Sequence, residues 1–425
     1  MKTKIAIISP SQGIGGTERK FKIYYKYLDS KKFDKLLIYY TDEKQIRKTK
    51  DVVFVPRTQL PTFIKNENIN YTYVPPHLSK FERDKIREVS KVLWNVNFTE
   101  LYREEENLIN LIISKTDYLK IELLHGKPLK NSYVVYNPID YELWTNLSKA
   151  TTGKYREYFK NKNIKFIVGR LARAEPSKWN YLIIATLRKL QKSKNHSYGF
   201  IFAGMPFLYR KTLKLLLSKK MLKRIFFLPE LKEHEKIAEF YSSIDIFWQT
   251  SWIGESFGNV IAEAFCFEKP VITDFKGFLR EDGTVNSKKY DAQIELVDHG
   301  NNGFYCNYPE TIVSTLNTTN LSKLRELGKA GRKKVGEQYD AKFAGQKISK
   351  ILKGTISNEN SIPTQNEVNS YEKEYFARIK QARKVNVISS KNNKKYAFEF
   401  RAYRVIETIY LIFRKIGRKT GFKID

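Results

Sequence analysis

The amino-acid sequence predicts an α/β protein in which two successive doubly wound parallel sheets face each other across a cleft, with a basic helical tail behind them. Short apolar runs alternate with helical stretches along residues 1–354, and continuous apolar strands in this alternation indicate parallel sheets covered on both faces. The alternation restarts after a polar stretch near residues 137–152. A chain of 425 residues is also long enough for two domains of ordinary size.

The N-terminal Rossmann-like domain is predicted over residues 1–140. It opens with KIAIISPSQGIGGTER, which is typical of a buried strand, a glycine-rich turn and the start of a helix. Such a turn lets an anionic ligand approach backbone N–H groups, although a tight turn without a ligand fits the same residues. Further strands are predicted over residues 36–40, 51–56, 91–98, 109–116 and 132–140.

The second Rossmann-like domain is predicted over residues 141–354. Ligands of such sheets bind beyond the carboxyl ends of the strands, so two facing sheets would form a deep cleft. The polar residues 355–370, which include Pro363, are predicted to be a linker. The strands of this domain are predicted over residues 164–170, 198–204, 224–230, 245–251, 270–275 and 302–307, and a helical stretch over 321–354.

Two cations follow the first strand of the second domain. Arg170 stands at the carboxyl tip of that strand, and Lys178 comes eight residues later. A guanidinium that bonds two oxygens and an ammonium that adds a point charge suit a diphosphate. A solvated basic loop is the alternative in so cationic a chain.

The stretch SWIGESFGNVIAEAFCFEKPVI places two acids, Glu255 and Glu263, in an apolar segment. A carboxylate can accept hydrogen bonds from two neighbouring hydroxyls of a sugar ring. The amides of Phe257, Gly258 and Asn259 would lie at a helix N-terminus, where phosphate or sugar oxygens bind well. The alternative is that Glu255 caps the helix and Glu263 is partly exposed.

The motif ESFGNVIAE resembles the donor-sugar motif E-x-F-G-x-x-x-x-E of retaining glycosyltransferases of family four, also described as glycosyl transferases group 1. SPSQGIGGTER, VVYNPID, VGRL with its later lysine, and ELVDHGNNGFYCN are similar to further segments of that family, in the same order. The resemblance covers roughly residues 4–353. It implies the GT-B fold, retention of the anomeric configuration, a nucleotide-diphosphate sugar as donor, and no cofactor or metal.

The resemblance also implies roles for single residues at the diphosphate. Gly15 and Gly16 would lie close to the donor phosphates and the transferred sugar. Arg170 and Lys178 would neutralise the diphosphate and stabilise it as the leaving group, which is electrostatic catalysis.

Other residues would hold the sugar and the nucleoside. Glu255 would bind hydroxyls of the transferred sugar, Glu263 would bind the ribose, and Leu228 with nearby backbone would contact the base. Many family members carry a histidine after a central N-terminal strand. This chain has Asn95 and Asn97 there, which can bond a sugar hydroxyl but cannot act as a base.

The chain has 77 Lys+Arg against 45 Asp+Glu and a net charge of +32. This charge implies nucleic acid, an anionic membrane surface or a phosphorylated substrate as a partner, and no nucleic-acid-binding motif is present. In the basic tail predicted over 371–425, a helical stripe could lie in an anionic membrane interface or dock on the protein or another subunit. Its apolar positions are Phe398, Ala402, Val405, Ile409, Ile412 and Ile416.

The sequence therefore predicts a retaining glycosyltransferase that moves a sugar from a UDP- or GDP-sugar to a glycan or lipid-linked acceptor of the cell surface. A sugar-nucleotide epimerase, a non-catalytic relative and a nucleic-acid-binding protein are the alternatives. Two cysteines without a disulfide or metal pattern and the absence of an apolar run of about 20 residues predict a cytoplasmic protein. A tail that lies in the membrane interface would make it peripheral on the inner membrane face.

Overall fold

The structure is a computed structural model, and it describes residues 2–9, 16–42, 45–49, 52–76, 78–193, 197–279, 284–354 and 363–385. Two parallel sheets, one in each half of the chain, organise these residues. The predicted α/β architecture of two doubly wound sheets is confirmed. Every strand that the sequence analysis assigned is a strand in the structure.

The N-terminal sheet has the strand order β3-β4-β2-β1-β5-β6-β7-β8, and all neighbours are parallel except β3 and β4. The sequence analysis missed β3 and β5, which are only two and four residues long. The strands are β1 Thr3–Ser9, β2 Phe33–Thr41, β3 Arg47–Lys48, β4 Val53–Pro56, β5 Tyr71–Val74, β6 Lys91–Val96, β7 Leu108–Ile112 and β8 Ser132–Val134. The helices are α1 Gly16–Tyr27, α2 Leu60–Asn66, α3 Lys80–Arg87 and α4 Lys115–His125.

The C-terminal sheet has the order β11-β10-β9-β12-β13-β14, with all neighbours parallel. Its strands are β9 Phe166–Leu171, β10 Tyr198–Ala203, β11 Ile225–Leu228, β12 Ile246–Gln249, β13 Val271–Thr273 and β14 Gly303–Tyr305. The helices are α5 Tyr141–Ala150, α6 Leu182–Lys192, α7 Phe207–Leu216, α8 Lys219–Leu222, α9 His234–Ser243, α10 Asn259–Cys266, α11 Gln293–Leu296, α12 Pro309–Thr318, α13 Leu321–Gln338, α14 Ala341–Leu352 and α15 Gln365–Val385.

Both sheets are buried on both faces. Side chains alternate between the two faces along each strand, so that one strand contributes to two apolar clusters. Ile5 and Ile7 of β1 belong to one apolar cluster, while Ala6 and Ile8 belong to another. The strand order of each sheet reverses beside its first strand, between β1 and β5 and between β9 and β12. In open α/β sheets, ligands bind beyond the carboxyl ends of the strands at such a reversal.

The predicted helical stretch over 321–354 is two helices, and the second crosses to the N-terminal half. Asp340 begins α14 by accepting a hydrogen bond from the Lys342 amide at 3.1 Å. Ile348 packs in the same cluster as Ile5. At Gly345, an added Cβ would lie 2.6 Å from the Tyr27 carbonyl oxygen. Residues 341–352 were predicted to belong to the C-terminal domain, but they pack on the N-terminal sheet because their apolar face completes its core.

Helix α15 replaces the end of the predicted linker over 355–370. It begins at Gln365 because Thr364 and Glu367 form a reciprocal cap: the Glu367 amide donates to Thr364 Oγ1 at 3.2 Å, and the Thr364 amide donates to Glu367 Oε2 at 2.8 Å. The predicted tail stripe from Phe398 to Ile416 lies outside the described residues. Across the part of the chain that the structure describes, no helix combines the length and apolar character needed to cross a bilayer.

Candidate active site

Arg170 lies beneath the carboxyl edge of the C-terminal sheet, where the strand order reverses. Its side chain is fully buried. Its guanidinium donates to the Trp248 carbonyl at 3.0 Å, to the Gln249 side-chain oxygen and to the Lys178 carbonyl. Burial lowers the pKa of Arg170 to about 10, and the nearby Glu255 carboxylate opposes this shift. Arg170 therefore holds the Lys178 backbone in place and places a buried positive charge next to it.

Glu255 joins the two predicted cations into one cluster. Its Oε2 lies 2.9 Å from Lys178 Nζ, and its Oε1 accepts from Gln249 Nε2 at 2.7 Å. Its backbone amide donates to Gln293 Oε1 at 3.0 Å. The structure therefore brings Arg170, Lys178 and Glu255 together, as the sequence predicts. Sequence reasoning missed Gln249 and Gln293, although Gln249 ends β12 at the reversal point, which is a recognisable signal.

The start of α10 lies just after Glu255 and offers backbone N–H groups. Gly258 precedes the helix in a left-handed conformation (φ 101°) and provides no side-chain cap. Phe257 is buried, with its ring 6.3 Å from that of Tyr136, and it anchors the turn. Asn259 Oδ1 accepts from Asn137 Nδ2 at 3.0 Å, which ties α10 to the interdomain segment. An uncapped helix N-terminus favours an anion electrostatically.

The second acid, Glu263, lies in a cavity of about 170 Å³ between the halves. Its Oε2 accepts from the Tyr241 hydroxyl at 3.2 Å, and its Oε1 lies 3.6 Å from Arg19 Nη1. Burial raises the pKa of Glu263 to about 7, and Arg19 and Tyr241 limit the rise. Glu263 is therefore not bonded to the Lys178 cluster. It faces α1 of the N-terminal half.

The corresponding edge of the N-terminal sheet holds Asn95 and Asn97 at the end of β6. Asn95 is fully buried, and its Oδ1 accepts from the Tyr73 hydroxyl at 3.0 Å and from Lys20 Nζ. Its Nδ2 donates to Asn97 Oδ1. Asn95 was predicted to bond a sugar hydroxyl, but its amide is engaged by these protein groups; Asn97 keeps partial exposure.

Lys20 is the residue of this edge that the sequence analysis did not single out. Its side chain is buried, and burial lowers its pKa well below the usual value for a lysine. Its ammonium bonds amide oxygens, Asn95 Oδ1 and Asn97 Oδ1, the latter at 3.5 Å. The residue lines the same cavity as Glu263. Among the described residues no carboxylate pairs with this buried lysine, which is uncommon for a lysine and could not be read from its place in a basic helix.

The remaining predicted residues are Gly15, Gly16 and Leu228. Gly15 falls outside the described residues, and Gly16 is the first residue of α1. Leu228 ends β11 with a buried side chain, and its carbonyl accepts from the Gly204 amide at 3.2 Å and from Arg210 at 3.2 Å. The contact of Leu228 with a base stays a prediction.

The two halves touch directly across the cleft. Glu295 of α11 accepts from the Thr116 amide at 2.6 Å, at the start of α4. Lys120 of α4 donates to the Ser287 carbonyl at 2.8 Å. A helix N-terminus capped by a carboxylate from the other half stabilises this approach of the halves.

Helix α15 supports the loop that holds Glu255. The Tyr375 hydroxyl donates to Asp291 Oδ2 at 3.0 Å and accepts from the Leu279 amide at 3.3 Å. One residue after Asp291, the Ala292 amide donates to the Glu255 carbonyl at 3.0 Å. A helix that sequence analysis assigned to linker and tail is thus two hydrogen bonds away from the candidate site.

Comparisons with solved structures decide the fold. HepE from Anabaena, in complex with UDP and glucose, is 18% identical with a TM-score of 0.59 over 83% of this chain and 99% of that chain. Sucrose-phosphate synthase from Thermosynechococcus elongatus is 13% identical with a TM-score of 0.61 over 84% and 100%. The chain has the GT-B fold. A glycosyltransferase from Rickettsia africae shows the same GT-B similarity, with 16% identity and a TM-score of 0.61 over 84% and 99%.

The family comparison concerns the C-terminal half of this chain. A family model described as Glycosyl transferases group 1 matches residues 153–282, the segment that contains Arg170, Lys178, Glu255 and Glu263. Helix α1 with Lys20, and helix α15, lie outside the matched segment. A comparison with curated proteins finds no match.

Proposed function

We propose that the protein is a retaining glycosyltransferase that transfers a sugar from a nucleotide-diphosphate sugar to a glycan or lipid-linked acceptor. The observation that carries the proposal is the Lys178–Glu255 pair above Arg170, at the reversal point of the C-terminal sheet. The group 1 match over residues 153–282 supports the proposal. HepE, which shares the fold, was solved with UDP and glucose.

The arrangement can assist departure of a nucleoside diphosphate. Lys178 and the start of α10 would place positive charge on the diphosphate as the bond from its oxygen to the anomeric carbon breaks. The leaving diphosphate oxygen keeps the electron pair of that bond, while an acceptor hydroxyl oxygen bonds to the carbon and passes its proton to the departing diphosphate. When phosphate oxygens engage Lys178, Glu255 is released to accept from hydroxyls of the transferred sugar.

Further parts of the proposal concern the nucleoside and the place of action. Glu263 would accept from the ribose hydroxyls, and the backbone near Leu228 would contact the base of a UDP- or GDP-sugar. The cations would serve without a metal or other cofactor. We place the reaction in cell-surface polysaccharide or glycolipid synthesis, at the cytoplasmic face of the membrane, because a lipid-linked acceptor cannot leave the bilayer.

The test is a panel of UDP- and GDP-sugars offered to the purified full chain, with binding followed by calorimetry and release of UDP or GDP by chromatography. We expect one donor to bind and to be turned over, and Lys178→Met to lose at least tenfold in turnover while keeping its thermal midpoint. Lys189→Met is the matched control, because Lys189 pairs with Glu310 at 2.7 Å on the outer helices. If no member of the panel binds, the proposal is overturned.

A second candidate is a non-catalytic nucleotide-sugar-binding protein. The observation that favours it is the N-terminal edge, where Asn95 is engaged by the protein and Asn97 is hydrogen-bonded to it. Binding of a donor without release of its nucleotide, in the presence or absence of glycan acceptors, would select this candidate over the transferase.

A further inference from the structure

An exposed basic surface lies on the outer edge of the C-terminal half, on the helices between β10 and β11. Residues 207–224, FLYRKTLKLLLSKKMLKR, hold seven basic residues and no acidic residue. They form α7 and α8, which connect β10 to the edge strand β11. Helix α13 of the same half, by contrast, carries both basic and acidic residues.

The exposed side chains of α7 lie on one helix face. Phe207, Lys211, Lys214 and Leu215 stand at positions i, i+4, i+7 and i+8, and all four are exposed. Leu215 is 84% exposed and Phe207 48%. Two large apolar side chains among lysines on an outer face have no role in the core of this half.

The lysines of this surface are uncompensated. Among the described residues, no lysine of 207–224 forms an ion pair, whereas on α13 the exposed Lys323 pairs with Glu326 at 3.0 Å and Lys333 with Glu337 at 3.8 Å. Next to α8, burial and the charges of Arg224 and Lys223 lower the pKa of Lys162. Within the described residues this region therefore carries an uncompensated positive field, which an external anion would neutralise.

We propose that this face binds an anionic membrane surface. We name it the α7–α8 surface and define it by Phe207, Lys211, Lys214, Leu215, Lys219 and Lys220. Lysines at a membrane contribute attraction to anionic headgroups, and exposed Leu and Phe side chains gain by entering the acyl boundary. A nucleic acid would use the lysines but would leave Leu215 in water, so the apolar pair favours a lipid surface. The proposal is independent of the tail stripe and of glycosyl transfer.

The first experiment measures flotation of the full chain with vesicles of phosphatidylcholine, with and without phosphatidylglycerol. Replacing Lys211, Lys214, Lys219 and Lys220 with Gln should lower partitioning onto the anionic vesicles about tenfold or more. The control replaces the same number of exposed basic residues on α13 with Gln and should change it less than twofold; these are Lys323, Arg325, Lys329 and Lys333. Equal losses in the two variants would show general charge attraction and overturn the proposal.

The second experiment reports contact at the apolar pair, whatever the tail contributes to binding. Leu215→Cys is labelled with an environment-sensitive fluorophore; the native Cys266 and Cys306 are buried. We expect a blue shift with anionic vesicles, no shift with phosphatidylcholine alone, and none at Leu321→Cys on α13. An unshifted probe at residue 215 on bound vesicles overturns the proposal. So does tighter binding to random DNA than to vesicles with the probe still unshifted.

Discussion

The two sheet edges that face the cleft hold their cations in opposite ways. On the C-terminal edge, Lys178 has a carboxylate partner in Glu255, and the two are joined through Gln249 to Arg170. On the N-terminal edge, Lys20 is more deeply buried, and among the described residues no carboxylate pairs with it. We call the C-terminal edge the balanced edge, because Lys178 has a carboxylate partner. We call the N-terminal edge the unbalanced edge, because the charge of Lys20 would be balanced by the anion of a ligand.

The difference shows where binding energy of an anionic donor can act most strongly. A buried ammonium that bonds only amide oxygens is disfavoured by desolvation, as the lowered pKa of Lys20 reflects. An arriving anion removes that penalty, whereas at Lys178 it must first displace Glu255. At the balanced edge, Lys178 therefore exchanges Glu255 for the anion of a ligand. At the unbalanced edge, Lys20 binds such an anion without losing a carboxylate partner.

The largest effect is expected at the balanced edge. Glu255→Gln keeps the shape of the side chain but removes the charge that Lys178 pairs with and weakens acceptance of sugar hydroxyls. Turnover of the donor should fall about 100-fold or more, with little change in the thermal midpoint. Glu326→Gln, on an exposed pair of α13, should leave turnover unchanged. Wild-type turnover in Glu255→Gln would remove this carboxylate from the reaction.

The next test removes the buried charge of the unbalanced edge. Lys20→Met retains length and removes the buried charge, so donor turnover should fall about tenfold or more, while the free energy of unfolding stays the same or increases. Turnover assays check the loss of activity, and urea unfolding checks the free energy of unfolding. Lys31→Met, at an exposed lysine, is the control. A strong loss of stability would mean that the ammonium is structural, held well enough by Asn95 and Asn97.

The Lys20 comparison can be sharpened by pH. Because its pKa is lowered in the folded protein, the unfolded chain binds more protons between that value and the ordinary lysine pKa. The titration of Lys20 therefore makes the free energy of unfolding rise with pH through that window. The dependence should be absent from Lys20→Met.

The pH dependence of stability can also be measured for the buried carboxyl of Glu263. Its pKa is about 7 in the folded protein, against a usual value of 4.5. The folded protein therefore binds more protons between these values, and stability falls as pH rises through this window. Glu263→Gln should gain about 1–3 kcal/mol relative to the natural protein between about pH 5 and pH 8, by urea unfolding. A pH-independent difference would contradict the burial of this carboxyl.

The fold was largely predictable because its signals are local. Apolar runs of four to six residues between helical stretches identify parallel strands whatever lies around them. Strand β5, YTYV, escaped because it is short and polar at one position, although it lies beside β1 in the centre of the sheet. The proximity of Glu255, which lies in a contiguous motif, to Arg170, which lies at the end of a strand, could be predicted from the sequence; the roles of these residues stay predictions.

The pairing of residues far apart in the chain was not predictable in the same way. Lys20 meets Asn95, and Glu263 meets Arg19, only through tertiary structure that brings together elements 75 or more positions apart. Likewise, α14 completes the N-terminal core although it follows the C-terminal sheet in sequence. The start of α15 did carry a local signal, the Thr364–Glu367 cap, which the polar composition of the segment obscured.

The smallest effect is expected from α15, which acts on the balanced edge from a distance. Tyr375→Phe removes the hydroxyl that bonds Asp291 and the Leu279 amide, which should lower the free energy of unfolding by about 1–2 kcal/mol. Because the adjoining Ala292 amide holds the Glu255 carbonyl, donor affinity should also weaken a few-fold, by calorimetry. Tyr371→Phe keeps the ring that packs near Tyr118 and should change neither quantity. If Tyr375→Phe lowers the free energy of unfolding but leaves donor affinity unchanged, α15 stabilises the protein without supporting the loop that holds Glu255.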